Sequence, residues 1–226
     1  MKLYKFRPLG SCQDLERAQE ILNTGKFWCS RFWELNDPME GVYWFNAGTL
    51  NEEFIHKLYG EKSKILLCSF SGEQAFGNPL MWGYYANGFK GIAIEIEVNG
   101  DEPHISKMNY DKDIATITND DGSDDAVKRI LTTKLDCWKH EKEYRYIHSG
   151  SNGLHKIGQI TAVYFGKPFK TTVNWEDAQR RPRVRQYLCH VESLKETANE
   201  MGFECIQVDL RKGRVVKSPS PKGAAT

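Results

Sequence analysis

Hydrophobic and polar positions alternate most cleanly over Gly91–Glu97, where Ile92, Ile94 and Ile96 fall on one face and Ala93, Glu95 and Glu97 on the other. A period of two predicts a strand. The opening KLYKFR alternates likewise, with Leu3, Lys5 and Arg7 on one face and Tyr4 and Phe6 on the other, and it stops at Pro8. Helical spacing then takes over. Ser11 reads as a cap, Asp14 as its capping-box partner, and Leu15, Ala18, Ile21 and Leu22 as an apolar stripe closed by Gly25. KFWCSRFW and the apolar run ILLCSF read as strands, separated by a turn at Asn36-Asp37-Pro38. Asn78-Pro79 opens a helix carrying Met81, Trp82, Tyr84 and Tyr85 to a stop at Asn87-Gly88.

Residues 99–125 are rich in Gly, Asp and Asn and predict an exposed excursion. A helix capped by Ser123 follows, its stripe running Val127, Ile130, Leu131, Lys134, Leu135, Trp138. EKEYRYIHS and QITAVYFG predict strands, VRQYLCHVESLKETANEMG a helix closed by Gly202, and FECIQVDL the last strand. Helices and strands are intermixed without a regular βαβ rhythm. The expected fold is therefore one α+β domain over residues 1–210, with a split, mostly antiparallel sheet flanked by helices. RKGRVVKSPSPKGAAT, from residue 211 to 226, holds five cations and no acid, and predicts a basic, disordered tail.

Composition narrows the function classes. The chain has 226 residues, 40% hydrophobic, with a net charge of +1, which suits one folded core rather than a disordered or uniformly polyanion-binding chain. No apolar run approaches the roughly 18 residues of a membrane span, and MKLYKFRPLG lacks the apolar stretch of a signal peptide. Cys12, Cys29, Cys68, Cys137, Cys189 and Cys205 are scattered, without a disulfide or zinc spacing. A reducing cytoplasm is the expected compartment.

Candidate chemistry concentrates in Glu141-Lys142-Glu143-Tyr144-Arg145. A strand starting at Glu141 would set Glu141, Glu143 and Arg145 on one face, either as a solvated ionic ladder or as a carboxylate pair beside a fixed guanidinium. Lys5 and Arg7 could guard a strand edge or bind a diphosphate. Ser30 and Ser69 offer hydroxyls, Asn36 and Asp37 a turn or a pocket wall, and Trp82 and Tyr85 core packing or a ring-stacking platform. Arg180, Arg181, Arg183 and Arg185 crowd the start of a helix, where the dipole disfavours cations; they are either a solvated charge run or, with the basic C-terminal tail, the contact for a phosphate-bearing partner such as nucleic acid.

Four strings together resemble one family: YKFRP at 4–8, LNDPME at 35–40, MWGYYANGFKGIAIEI at 81–96 and WKHEKEYRYI at 138–147. In this order they are similar to the bacterial domain-of-unknown-function family 2971, whose members read YKYRP, FNDPFE, MWSHYA–HKG and WxxEKEYR. Tyr84 stands where that family often has His. A more distant resemblance links the opening strand, the NDP turn and Glu141-x-Glu143 to ADP-ribosyltransferase toxins. This second resemblance implies NAD as substrate without a metal, a macromolecular acceptor such as nucleic acid, and a protein partner in an anti-phage defence or toxin–antitoxin setting. It implies Glu143 on the ribose, Glu141 on the acceptor, and Lys5, Arg7, Ser30, Asn36, Asp37, Trp82, Tyr85 and Arg145 around the dinucleotide. Arg7, Asn36 or Asp37, Trp82 and Glu143 are then expected in one cleft. Two further readings stay open: a non-catalytic nucleotide- or protein-binding module, and a nuclease with Mg²⁺ on Asp37, Glu40, Glu141 and Glu143.

Overall fold

The computed structural model describes residues 1–45, 51–118, 120–168, 181–211 and 214–217. It is a mixture of helices and strands in which most neighbouring strands of the larger sheet run antiparallel. By its internal contacts the chain divides into two compact units, each assembled from separated segments, where the sequence reading had a single domain.

The first unit comprises Met1–Lys26, Ser71–Asn99 and Gly158–Thr226. Its strands are β1 (Lys2–Pro8), β5 (Gly91–Glu97), β12 (Gln159–Gly166), β13 (Glu204–Arg211) and β14 (Arg214–Lys217), in the order β14-β13-β12-β5-β1. β1 also pairs through Leu3 and Tyr4 with Gly72 and Ser71, the last residues of β4 (Ile65–Gly72). β12 and β13 are parallel, which requires a crossover, and α6 (Pro182–Glu200) supplies it. Helix α1 (Cys12–Thr24) forms as its sequence dictates. Ser11 and Asp14 make a reciprocal capping box, and Gly25 ends the helix in the left-handed conformation. Gln19 on α1 donates to Ser193 and Thr197 on α6.

Helices α3 (Glu73–Phe76) and α4 (Pro79–Tyr85) bury Ala75, Met81 and Trp82 with Tyr4, Phe6, Ala93, Tyr164, Val208 and Val215. Val215 lies in the segment read as tail. Arg214–Lys217 of that segment pair with β13 as β14, Val215 opposite Leu210, while residues 212–213 and 218–226 lie outside the described residues. Alternation supplies the reason, since Val215 is the one position of RVVK buried against the cluster.

The second unit comprises Phe27–Phe70 and Gly100–Ile157. The Ile65–Phe70 part of β4 neighbours β10 (Glu143–Ser149), which pairs antiparallel with β6 (Ile105–Lys107). Three short pairs complete its strands. They are β2 (Phe27–Cys29) with β11 (Gly153–His155), β3 (Tyr43–Phe45) with β8 (Ala115–Ile117), and β7 (Asn109–Asp111) with β9 (Thr133–Leu135). Helices α2 (Glu52–Ser63) and α5 (Ser123–Thr132) cover a core of Leu58, Leu67, Ala115, Ile117, Val127, Ile130 and Leu131. The excursion expected over 99–125 is therefore partly structural, because Met108, Ala115 and Ile117 are buried. Among the described residues no helix is long and apolar enough to cross a membrane.

Candidate functional site

The second unit holds a buried ionic cluster built from four separate stretches of chain. Helix α5 stops at Thr132, and the chain continues as β9, where Lys134 is the register partner of Tyr110 on β7. A short 3-10 helix, Asp136–Glu141, follows and ends at Lys142 in the left-handed conformation (φ 46°) before β10 begins at Glu143. Glu141 is thus not on the strand. The two carboxylates that flank Lys142 nevertheless share one cation. The Lys134 ammonium donates to Glu141 Oε2 at 2.7 Å and to Glu143 Oε2 at 3.1 Å, and lies 5.0 Å from the centre of the Trp138 ring.

Arg145, 1% exposed, spends all five N–H donors inside the protein. Nε donates to Glu143 Oε1 at 2.7 Å, and Nη1 to Glu40 Oε1 and to the Leu131 carbonyl. Nη2 donates to Glu40 Oε2 at 2.7 Å and to Glu143 Oε2 at 3.4 Å. Glu40 is carried by the Asn36–Gly41 turn, in which Asp37 Oδ1 accepts from Met39 N and the Asp37 carbonyl from Glu40 N. Gly41 closes this turn with φ 73°, where a Cβ would meet the Phe32 ring. The buried Lys62 ammonium holds the Gly41 carbonyl at 2.6 Å between the Phe32 and Tyr43 rings. Glu143 also accepts from the Ser69 hydroxyl, and its backbone N–H donates to the Tyr110 hydroxyl at 2.8 Å.

Burial alone would raise the pKa of Glu143. Arg145 and Lys134 overcome that effect and hold the carboxyl well below its usual range, at about 2. Burial likewise works against the charge on Lys134, and Glu143 and Glu141 more than restore it. Glu143, Lys134 and Arg145 are thus held in their charged forms in a place where water is scarce. The solvated ladder is excluded, because Glu141, Glu143 and Arg145 are all buried.

The residues expected around one dinucleotide divide between the units. Ser30, Asn36, Asp37, Glu141, Glu143 and Arg145 belong to the second unit, and Lys5, Arg7, Trp82 and Tyr85 to the first. Three assignments change. Trp82 is completely buried, donates its indole N–H to the Phe76 carbonyl and stacks on Phe89 at 5.2 Å, so its ring is core rather than a platform for a ligand. Arg145 has no N–H left for a diphosphate. Glu143 receives four donors (Arg145 Nε and Nη2, Lys134 and Ser69), which fills the sites with which it was to grip a ribose hydroxyl.

Lys5 and Arg7 lie on β1 opposite Ile94 and Ile92. Ser30 makes a backbone bridge to Leu67, Asn36 is exposed, Asp37 is buried in its turn, and Tyr85 packs at the edge of the first core. Arg181, Arg183 and Arg185 are exposed at the head of α6, and Arg180 lies outside the described residues. With Lys90, Arg181 and Arg183 line a cleft of about 440 Å³.

Two groups of functional weight were missed in the sequence. Lys134 was placed in an apolar stripe, and its charge there was the available signal. Glu95, on β5, is 2% exposed and collects four donors: Lys2 Nζ at 2.8 Å, Thr161 Oγ1 at 2.9 Å, Tyr4 Oη at 3.0 Å and Tyr164 Oη at 2.7 Å. The register of β12 shifts between Ile160 and Ala162, the place where Thr161 reaches Glu95. Among the described residues no three His, Cys, Asp or Glu side chains are placed to hold a metal ion. Comparison with models of protein families, with curated proteins and with solved structures finds no match.

Proposed function

We propose that the chain is an ADP-ribosyltransferase-like protein that moves ADP-ribose from NAD to a macromolecular acceptor. The reading begins from the resemblance of its motifs and rests, in the structure, on one observation: Glu143 is kept ionised while almost wholly withdrawn from water. In this reaction the C1′–N bond breaks, its electron pair leaves with neutral nicotinamide, and the ribose becomes oxocarbenium-like, as in glycoside hydrolysis. A lone pair of the acceptor then bonds to C1′ and the acceptor loses a proton. A negative charge fixed beforehand in a dry site stabilises such a cation without reorganising. Since its acceptor sites are filled, Glu143 acts here through its field, and Glu141 is the carboxylate assigned to the acceptor's proton. The cationic cleft of Lys90, Arg181 and Arg183 supports a nucleic-acid acceptor. The setting in anti-phage defence or a toxin–antitoxin pair is suggested by the resemblance alone.

A second reading, a nucleotide- or protein-binding module without turnover, is favoured by how completely Glu143 and Arg145 satisfy each other. Nothing favours the nuclease, whose oxygens on Glu40, Glu141 and Glu143 are held by Arg145 and Lys134. The deciding experiment follows nicotinamide release from NAD with and without nucleic acid and EDTA, for the native protein and Glu143→Gln. Transfer predicts release that is insensitive to EDTA and falls roughly a hundred- to thousandfold in the variant. NAD binding without release would leave the module reading.

A further inference from the structure

We propose that Tyr110 is the hydrogen-bond donor through which the ionic cluster meets its ligand, and that the atom it meets is a hydroxyl oxygen of a sugar. The inference rests on the reading of NAD as the ligand of this site. Arg145 has used its five N–H groups, Glu143 has received four donors, and the Lys134 ammonium is divided between two carboxylates. Lys134, Glu141, Glu143 and Arg145 are all buried. Tyr110 touches the same cluster and is only half-buried.

Its oxygen is fixed by the Glu143 backbone N–H at 2.8 Å. Because the phenol is the acceptor in that bond, its own proton is directed elsewhere, and among the described residues nothing takes it. Burial, together with the charges of Glu143 and Glu141, raises the pKa of Tyr110 against the smaller opposing effect of the Glu143 N–H, so it stays a phenol and keeps the proton to donate. A donor held in place by the backbone amide of Glu143, beside that residue's fixed carboxylate, suits a neutral acceptor oxygen. A sugar hydroxyl is such an oxygen, whereas a phosphate would approach Glu141 and Glu143 against like charge.

The test is a double-mutant cycle on binding. Dissociation constants are measured calorimetrically for NAD and for its analogues lacking the 2′- or the 3′-hydroxyl on the nicotinamide ribose, each against the native protein and Tyr110→Phe. One of the two deletions should weaken the native protein roughly tenfold and leave Tyr110→Phe unaffected. Equal losses in both proteins, for both analogues, would overturn the contact even if nicotinamide is released. Coupling without nicotinamide release supports the contact and removes only the transferase reading. A native protein that fails to bind NAD overturns both. Should Tyr110→Phe not fold, 3-fluorotyrosine at position 110 keeps the acceptor and strengthens the donor. NAD should then bind more tightly and the sensitive deoxy analogue should not; identical gains for both would again overturn the contact.

Discussion

Arg145 on β10 and Glu40 in the Asn36–Gly41 turn, 105 residues apart, meet in a two-pronged ion pair in which Nη1 and Nη2 each donate to one carboxylate oxygen. The same guanidinium also holds Glu143. Replacing it by Met would leave the buried Glu40 carboxylate without its cation and Glu143 with Lys134 alone. The expected loss is about 3–5 kcal/mol in urea unfolding, against about 0–1 kcal/mol for an exposed pair. Arg145→Lys should recover little of it, because an ammonium cannot span both oxygens of Glu40 and still reach Glu143.

Glu95 gives a pH dependence of known sign. Burial opposes its charge, but Lys2, Tyr164, Thr161 and Tyr4 lower its pKa to about 2 from the ordinary 4.5. A carboxyl depressed in the folded state contributes stability that is present above the unfolded value and is lost as pH falls through the folded one. Glu143 titrates in the same window. Glu95→Gln should therefore make the decline in stability between pH 4.5 and 2 shallower while leaving the part due to Glu143. Unfolding free energies measured across that range would show an unchanged slope if Glu95 were not the group responsible.

A chain ending at Arg211 lacks β14 and with it Val215, which is 6% exposed. Burial of that side chain is worth about 1.5–3 kcal/mol. The shortened protein should melt below one that ends at Lys217, and equal melting temperatures would show that β14 contributes nothing.

Gly91 opens β5 where a Cβ would run into the Arg7 carbonyl oxygen and the backbone of Ala86. Backbone cannot move aside as a flexible side chain does, so Gly91→Ala should cost at least about 1–3 kcal/mol. Gly60→Ala, where a Cβ meets nothing within 4 Å, is the matched control and should be neutral or mildly stabilising in its helix. Thermal melts of the two variants make the comparison.

The elements legible in the sequence were those whose signal is local. Helix α1 carries its cap, stripe and stop within one short stretch, and β5 alternates without interruption. Helix α2 was missed because its stripe is thin: of its residues only Leu58 and Lys62 are buried. The site was legible in part. Glu141, Glu143 and Arg145 stood out as charges beside apolar runs, but their partners come from distant places. Glu40 arrives on a turn that reads as a turn, and Lys134 sits on a strand too short to show a period. Glu95 stood in the sequence only as a residue on the face of the strand opposite its isoleucines. Its four donors come from β1 and β12, and no pattern within β5 reveals them.

The division of each unit among separated segments sets an order on its assembly during synthesis. The second unit has all its residues once Ile157 has been made, while the first still lacks β12, α6 and β13. At ~5–20 residues per second the remainder takes on the order of ten seconds to emerge. Through that interval β5 has β1 on one side and an unsatisfied edge on the other, where β12 will later pair. A growing chain therefore displays a row of unpaired backbone groups above Ile92, Ile94 and Ile96, a surface open to capture by chaperones or by another nascent copy before its own strand arrives.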